Sequence, residues 1–404
     1  MSRPVAKAPR WAVRASARLL LAVALGPLGA CSLLVHPTEF TPCDGTRPVR
    51  CEGGKLVRCV DGFEETTSCD TSARRGDQLG IASGRVLLRL DEANLKKHLD
   101  LIQSLGVRYV QLDLDWSVVE AVRGSPSFGV IDRVCDGLVA RGLVPVLTVT
   151  YTPEWARPPG TTSHHGPAVL AGRDALDDYA AFLATAVKRY RGRARHFELW
   201  NEPNSGEFWL PAPEVARYAA LLKKAYAAAK RASPEAVILT GGTAPVGDVT
   251  HPHNAVRWVE ALYAQGCKGS FDAVAHHPSS FPTNPLQGDP GTNAFLYTEQ
   301  VAEVMRRNGE ASKRIWATAV GAPTGSDPTS ITEAQQAQWV TDYTTRWFGP
   351  WAAFTGPLLW QRHADTGTSP TDRDEHFGLV RADFSPKPAL ARFREVAAQP
   401  LAPR

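Results

Sequence analysis

Between about residue 79 and residue 395, short apolar runs alternate with amphipathic stretches, as expected where strands and helices take turns along the chain. Apolar runs at 81–89, 108–113, 143–150, 197–200, 237–241, 271–277, 315–320 and 357–360 predict eight strands. Between them, apolar positions recur at helical spacing. Leu95, Leu99, Ile102 and Leu105 form one stripe, entered from a candidate N-cap at Asp91 and ended by Gly106. Ile131, Val134, Cys135 and Leu138 share a face of a second helix, and 176–190 and 215–232 read as two more. This alternation predicts an α/β domain, a (β/α)8 TIM barrel of roughly 320 residues, with no internal repeat or low-complexity tract. A doubly wound open sheet is the alternative. It calls for a Gly-rich phosphate turn after the first strand, and none follows the first run.

The segment ahead of the barrel follows different rules. Residues 1–30 carry Arg3, Lys7, Arg10, Arg14 and Arg18, then an apolar core at 19–28 too short to span a bilayer. This is an expected export signal. It ends in Leu28-Gly29-Ala30-Cys31, which resembles a bacterial lipobox and implies lipidation of Cys31. An ordinary secretory signal with an incidental cysteine is the alternative. The expected location is therefore the cell envelope, lipid-anchored at the outer membrane or cell surface, and Ser32 after Cys31 gives no inner-membrane retention signal. Subtracting the five basic residues of the signal takes the net charge from +4 to −1. The basic pI thus gives no support for a nucleic-acid partner.

Residues 31–42 read as a tether. Cys43, Cys51, Cys59 and Cys69 then fall within 27 residues rich in Gly, Asp, Thr and Arg. In an oxidising compartment they predict two disulfides, with three possible connectivities, in a small 43–70 segment that needs such staples to hold together. Zinc is the competing ligand, but no Cys-x-x-Cys pair or nearby His accompanies them. A spacer and a small carbohydrate- or wall-contacting module both remain open for this segment. His164-His165 and His251-Pro252-His253 match no metal-ligand spacing, so no metal and no cofactor are expected. Cys135 reads as a packed core thiol.

The candidate chemistry centres on residues 196–204, His-Phe-Glu-Leu-Trp-Asn-Glu-Pro-Asn. The apolar run must end by Pro203, which cannot continue a ladder, so Asn201 and Glu202 lie at the C-terminal end of a strand. Trp-Asn-Glu-Pro-Asn resembles the fourth-strand motif of the retaining (β/α)8 glycoside hydrolases of clan A, with families 39 and 5 as the nearest in kind. That resemblance covers residues 79–395, including the closing segment Phe377-Gly378-Leu379-Val380 and Ser385-Pro386-Lys387-Pro388-Ala389. It implies that Glu202 is the general acid/base and that Asn201 binds a sugar 2-hydroxyl. His277, at the end of the sixth strand, also matches a family position.

Retaining hydrolysis needs a second carboxylate about 5–5.5 Å from the first. In the family it ends the seventh strand in a Trp-x-Thr-Glu-x-Gly context. The matching segment here is Trp316-Ala317-Thr318-Ala319-Val320-Gly321, which puts Ala319 at the nucleophile position. Two further departures accompany it. The family's Tyr after the sixth-strand His is Ser279, and its second-strand Arg is Gln111. An Arg left beside a deleted carboxylate would be an uncompensated charge, so joint loss of the three groups is physically coherent.

Trp116, Trp155, Trp200, Trp209 and Trp360 fall at or past strand ends, where aromatic faces can stack on pyranose rings. Trp155 and Trp360 are expected to face the cleft. Three functions compete. The first is a glycan-binding relative that keeps Glu202 but cannot form a glycosyl-enzyme. The second is an active inverting hydrolase with Asp365 or Asp113 as replacement base. The third is a structural envelope lipoprotein with a vestigial cleft. The expected partners are a carbohydrate and a lipid bilayer. The sequence sets no oligomeric state, sugar or linkage.

Overall fold

The structure, a computed structural model, describes residues 73–401 and, ahead of them, the backbone of three strands. These strands, Arg50–Glu52, Lys55–Val60 and Phe63–Ser68, form an antiparallel sheet in chain order. The signal segment, Cys31, the tether and the side chains of Cys43, Cys51, Cys59 and Cys69 lie outside the described residues. The lipidation and disulfide expectations therefore stand as expectations.

The remaining chain closes into an eight-stranded parallel barrel. Its strands are β1 (Leu79–Ala82), β2 (Tyr109–Asp115), β3 (Val144–Thr150), β4 (His196–Asn201), β5 (Val237–Gly242), β6 (Ala273–His276), β7 (Arg314–Val320) and β8 (Thr355–Gln361). Each strand pairs with the next, and β8 returns to β1 with Leu358 opposite Leu79 and Gln361 opposite Ala82. The helices that follow the strands are α1 (Glu92–Ser104), α2 (Gly129–Val139), α3 (Ala175–Arg189), α4 (Val215–Ala232), α5 (Ala255–Ala264), α6 (Thr298–Arg307), α7 (Glu333–Phe348) and α8 (Pro388–Ala398). Among the described residues, no helix is long and apolar enough to cross a membrane.

Strands buried on both faces explain the near-continuous apolar runs in the sequence. Outward residues such as Ile81, Val110, Leu147, Phe197, Ile238 and Ile315 join the helices in one core, while Tyr109, Val146, Leu239, Ala275, Trp316 and Leu359 fill the barrel's interior. Helix entries follow the side chains available. Asp91, Asp174 and Asn254 each accept an amide of the first turn, Thr332 and Gln335 form a reciprocal capping box, and Pro388 opens α8. Gly106, at φ 71°, supplies the left-handed residue that ends the α1 turn.

Two strand expectations need correction. The run 81–89 is not one strand. β1 ends at Ala82, and Leu87–Arg89 is a 3₁₀ turn. Gly84 takes φ 54° and turns the chain off the barrel; Leu87 is then buried in the shell, and Arg133 of α2 donates to the Leu90 carbonyl at 2.7 Å. The apolarity of that segment reports helix-side packing rather than a ladder. β6 is likewise shorter than 271–277, and His277 lies beyond it with its amide bonded to the Thr243 carbonyl at 3.0 Å.

Candidate active site

The C-terminal end of β4 is held in an uncommon backbone conformation. Trp200 and Glu202 both have positive φ, 81° and 46°, without being glycine. Such residues cost of order 1–3 kcal/mol each and persist where surrounding contacts fix them. Those contacts are present. Trp200 is fully buried and donates to the Phe208 carbonyl at 2.8 Å, and the Glu202 amide donates to Gly242 at the end of β5 at 3.0 Å. Asn204, also fully buried, bonds both the amide and the carbonyl of Ala244 and the carbonyl of His253. The last Asn of the motif thus ties two loops together. The Glu202 carboxylate, partly open to solvent, meets His277 Nδ1 at 2.8 Å. Asn201, half-buried, lies beside it at the strand's end.

Beneath Glu202 runs a continuous polar network. Glu198, almost fully buried on β4, accepts from Thr148 at 2.7 Å and from Thr318 and the Gly242 amide at 2.8 Å each; His277 Nε2 stands 3.9 Å away. Gln111 extends the network, donating to Thr148 at 2.8 Å and Asp113 at 3.0 Å while accepting the Gly84 amide at 3.0 Å. Burial pushes the Glu198 carboxyl up, opposed by His277 and these donors. Burial likewise raises Asp113 against Gln111 and Arg85. For His277, burial favours the neutral ring, but the hydrogen bond to Glu202 and the charges of Glu202, Glu198 and Asp113 outweigh it and raise its pKa. Only glycine fits at position 242: a Cβ there would lie 2.2 Å from His277 Nε2 and 2.7 Å from Glu198.

The β7 end carries a bulge. From Ala317 to Val320, three steps on β7 face two on β8, Leu358 to Trp360. One extra residue re-aims its neighbours. Thr318 reaches inward to Glu198, and Ala319, the next residue, also packs against the barrel interior. A methyl group therefore occupies this strand end. Just past it the Gly321 amide donates to the Ser279 hydroxyl at 3.3 Å, so Ser279 and the β7 end meet at one corner.

Several sequence expectations are corrected by burial. Trp360 does not face the cleft. It is fully buried outside the barrel between Tyr343 of α7 and Phe393 of α8, and donates to the Phe377 carbonyl at 3.2 Å. Trp116 is also fully buried, bonded to Glu120 and packed on Trp155, Tyr179 and Phe182. Trp155 alone of these three keeps an accessible surface, between the guanidinium groups of Arg123 and Arg173. Asp365 is not a free base. Lys387 Nζ and the Gly378 amide both bond its Oδ1 at 2.8 Å, and His376 lies 3.6 Å from Oδ2. Among the described residues, no group of three or more His, Cys, Asp or Glu is placed to hold a metal ion.

Sequence reasoning missed Glu198, Arg85 and Tyr151. Glu198 was recoverable, because it lies an even number of positions from His196 on β4 and so points inward. Arg85 had no such signal. It pairs with Asp115 at 2.8 Å and approaches Asp113 at 3.5 Å, while its guanidinium lies 4.3 Å over the Tyr151 ring. His164 stacks on Tyr151 and Phe208 on His164, at 4.9 and 5.3 Å, which makes a cationic-aromatic column along one rim.

No family model and no curated protein matches the chain. Solved structures do. A family 39 glycoside hydrolase from the gut symbiont Bacteroides cellulosilyticus WH2 matches with TM-score 0.63 at 23% identity, over 85% of this chain and 69% of that one. A monomeric beta-xylosidase from Caulobacter crescentus CB15 matches with TM-score 0.60 at 20% identity, over 80% and 68%. A GH5_18 protein from Streptomyces cattleya in complex with GlcNAc gives 0.59 at 18% identity, over 80% of each chain. At these identities the likeness establishes the fold alone, an eight-stranded TIM barrel.

Proposed function

We propose that this chain binds a glycan in the C-terminal mouth of its barrel and does not carry out retaining hydrolysis. One observation carries the proposal: Ala319 lies at the inward bulge of β7 while the Glu202–His277 pair opposite remains assembled. A solved relative in fold is described in complex with GlcNAc, which supports a carbohydrate as the ligand class. Glu202, carried by the motif resemblance, keeps the role of proton donor. An oxocarbenium-like charge, however, would find a methyl group where a carboxylate is needed. Loss of a nucleophile removes several powers of ten in rate, each about 1.4 kcal/mol. Dinitrophenyl glycosides leave without acid assistance and so isolate this step. The protein should bind oligosaccharides on a glycan array yet give negligible turnover of these aryl glycosides. Azide or formate, small enough for the Ala319 gap, should raise that turnover and give product of inverted configuration. Turnover of the native protein at ordinary enzymatic rates, without added anion, would overturn the proposal.

A second reading has its own support. Asp113 is buried, has a raised pKa and acts electrostatically on His277, so an inverting mechanism with Asp113 as base is the active alternative; it needs carboxyls about 6.5–9.5 Å apart. Asp113→Asn abolishing a measurable native activity would establish it. Asp365 is set aside as the base because Lys387 already occupies it. Envelope anchoring through Cys31 is proposed alongside. Wild type should partition with membranes and Cys31→Ala should not; identical partitioning would remove the anchor.

A further inference from the structure

Arg362 follows β8 directly, in a left-handed backbone conformation (φ 69°), with its amide bonded to Ala82 at the end of β1 at 3.0 Å. It therefore stands at the β8–β1 corner of the barrel's mouth. Its side chain is half-buried, yet among the described residues it donates no hydrogen bond and makes no ion pair, and its Nε is enclosed without a partner. Other arginines of the shell behave differently: Arg85, Arg123, Arg141, Arg189 and Arg217 each reach a carboxylate. Asp374, Asp113 and Asp372 act on Arg362 only at longer range, against Arg89. The backbone of Arg362 lies at the same C-terminal end of the barrel as Glu202.

A partly desolvated, unpaired guanidinium is costly unless a partner arrives. Its planar fork matches a carboxylate or a sulfate in a two-pronged contact. Asp113 and Asp115 are already opposed by Arg85, so Arg362 is the cation left over for a ligand.

We infer that Arg362 recognises an oxyanion on the sugar, so that the glycan taken by this cleft is acidic, bearing a uronate carboxylate or a sulfate. The inference rests on the proposed glycan binding and deepens it. It is tested on the full chain by calorimetric titration with hyaluronan and alginate oligosaccharides, each beside its carboxyl-reduced form, and with heparan sulfate fragments beside their desulfated forms. Wild type should bind one acidic member about 10- to 100-fold more tightly than its neutral partner, the span expected for a charge-assisted hydrogen-bond pair. Which pair responds separates carboxylate from sulfate. Arg362→Met should lose that preference while binding the neutral form as before, and Arg362→Lys should keep part of it. Ligand-free Arg362→Met should melt at the wild-type temperature or above, because an unpaired charge has been removed. Equal affinity for acidic and neutral members, a preference that survives in Arg362→Met, or a fall in melting temperature of Arg362→Met would overturn the inference and leave glycan binding standing. Failure of wild type to bind any member, acidic or neutral, would instead overturn glycan binding itself.

Discussion

Placing a carboxylate at position 319 on β7 tests the proposed meaning of Ala319 most directly. In Ala319→Glu the new carboxyl joins a corner that already contains Glu198 and Glu202, and the imidazole there, His277, is already bonded to Glu202 at 2.8 Å. Gln111 spends its amide hydrogens on Thr148 and Asp113, and the Ser279 hydroxyl accepts from Gly321. Neither brings a positive charge. A like charge about 6 Å away costs about 3 kcal/mol at an effective dielectric of 20. That is roughly two pK units, enough to lift a glutamate from about 4.3 to about 6.3 before burial adds more. At pH 7 the nucleophile is then only partly ionised. Gln111→Arg introduces a charge of opposite sign and similar reach, and Ser279→Tyr adds a donor worth about 1.5–3 kcal/mol to a charged acceptor. The assay is kcat/KM on a panel of dinitrophenyl glycosides between pH 5 and pH 9. The single variant should be weak, with a rate that rises as the raised carboxyl deprotonates near or above neutrality. The triple variant should exceed it at least about tenfold at pH 7, with the rising limb about two pH units more acidic. Equal rates, or superimposable pH limbs, would refute the electrostatic account proposed for Ala319, Gln111 and Ser279.

Other consequences are more structural. Lys387→Met leaves Asp365 buried without its cation and should destabilise the fold by about 3–5 kcal/mol in urea, with Asp365→Leu/Lys387→Met recovering most of it; an unaffected single variant would restore Asp365 as a candidate base. Gly242→Ala should displace His277 from Glu202 and abolish glycan binding, whereas Gly241→Ala, which meets the Leu199 and Trp200 carbonyls of β4 and the Pro203 ring instead, should act mainly through stability. His363, bonded to His98 at 2.7 Å, has its pKa lowered by burial to about 3, against about 6.5 in the unfolded chain. The unfolded state therefore binds the extra proton first, so the stabilisation is complete above about pH 6.5 and is lost as the pH falls toward 3. His363→Gln should flatten that acid slope by up to about 1.4 kcal/mol per pH unit in urea titrations at pH 7, 6, 5 and 4; an unchanged slope would count against the lowered pKa.

Much of this protein is written locally. Eight apolar runs separated by amphipathic stretches specify a parallel barrel because strands covered on both faces need continuous apolarity and crossovers need helices. α4 has the bounds its periodicity implies, 215–232, and Asp91 caps α1 as its side chain and position require. The Trp-Asn-Glu-Pro-Asn string placed Glu202 at a strand end, and the frame around Trp316 put Ala319 there too. What periodicity could not decide was which polar or aromatic group finds which partner. Trp360 and Trp155 look alike in sequence, but one strand parity sends the first outward under α7 and α8, and a loop leaves the second at the surface. Asp365 became half of a buried ion pair only because Lys387, 22 positions later, returns to it. Arg85, Tyr151 and Glu198 entered the site through barrel closure and strand alternation. Arg362 was left without a partner by the same closure. Hydrophobic burial acts through local pattern, whereas hydrogen bonds and charge pairs depend on distances of a few ångströms that only the closed barrel fixes.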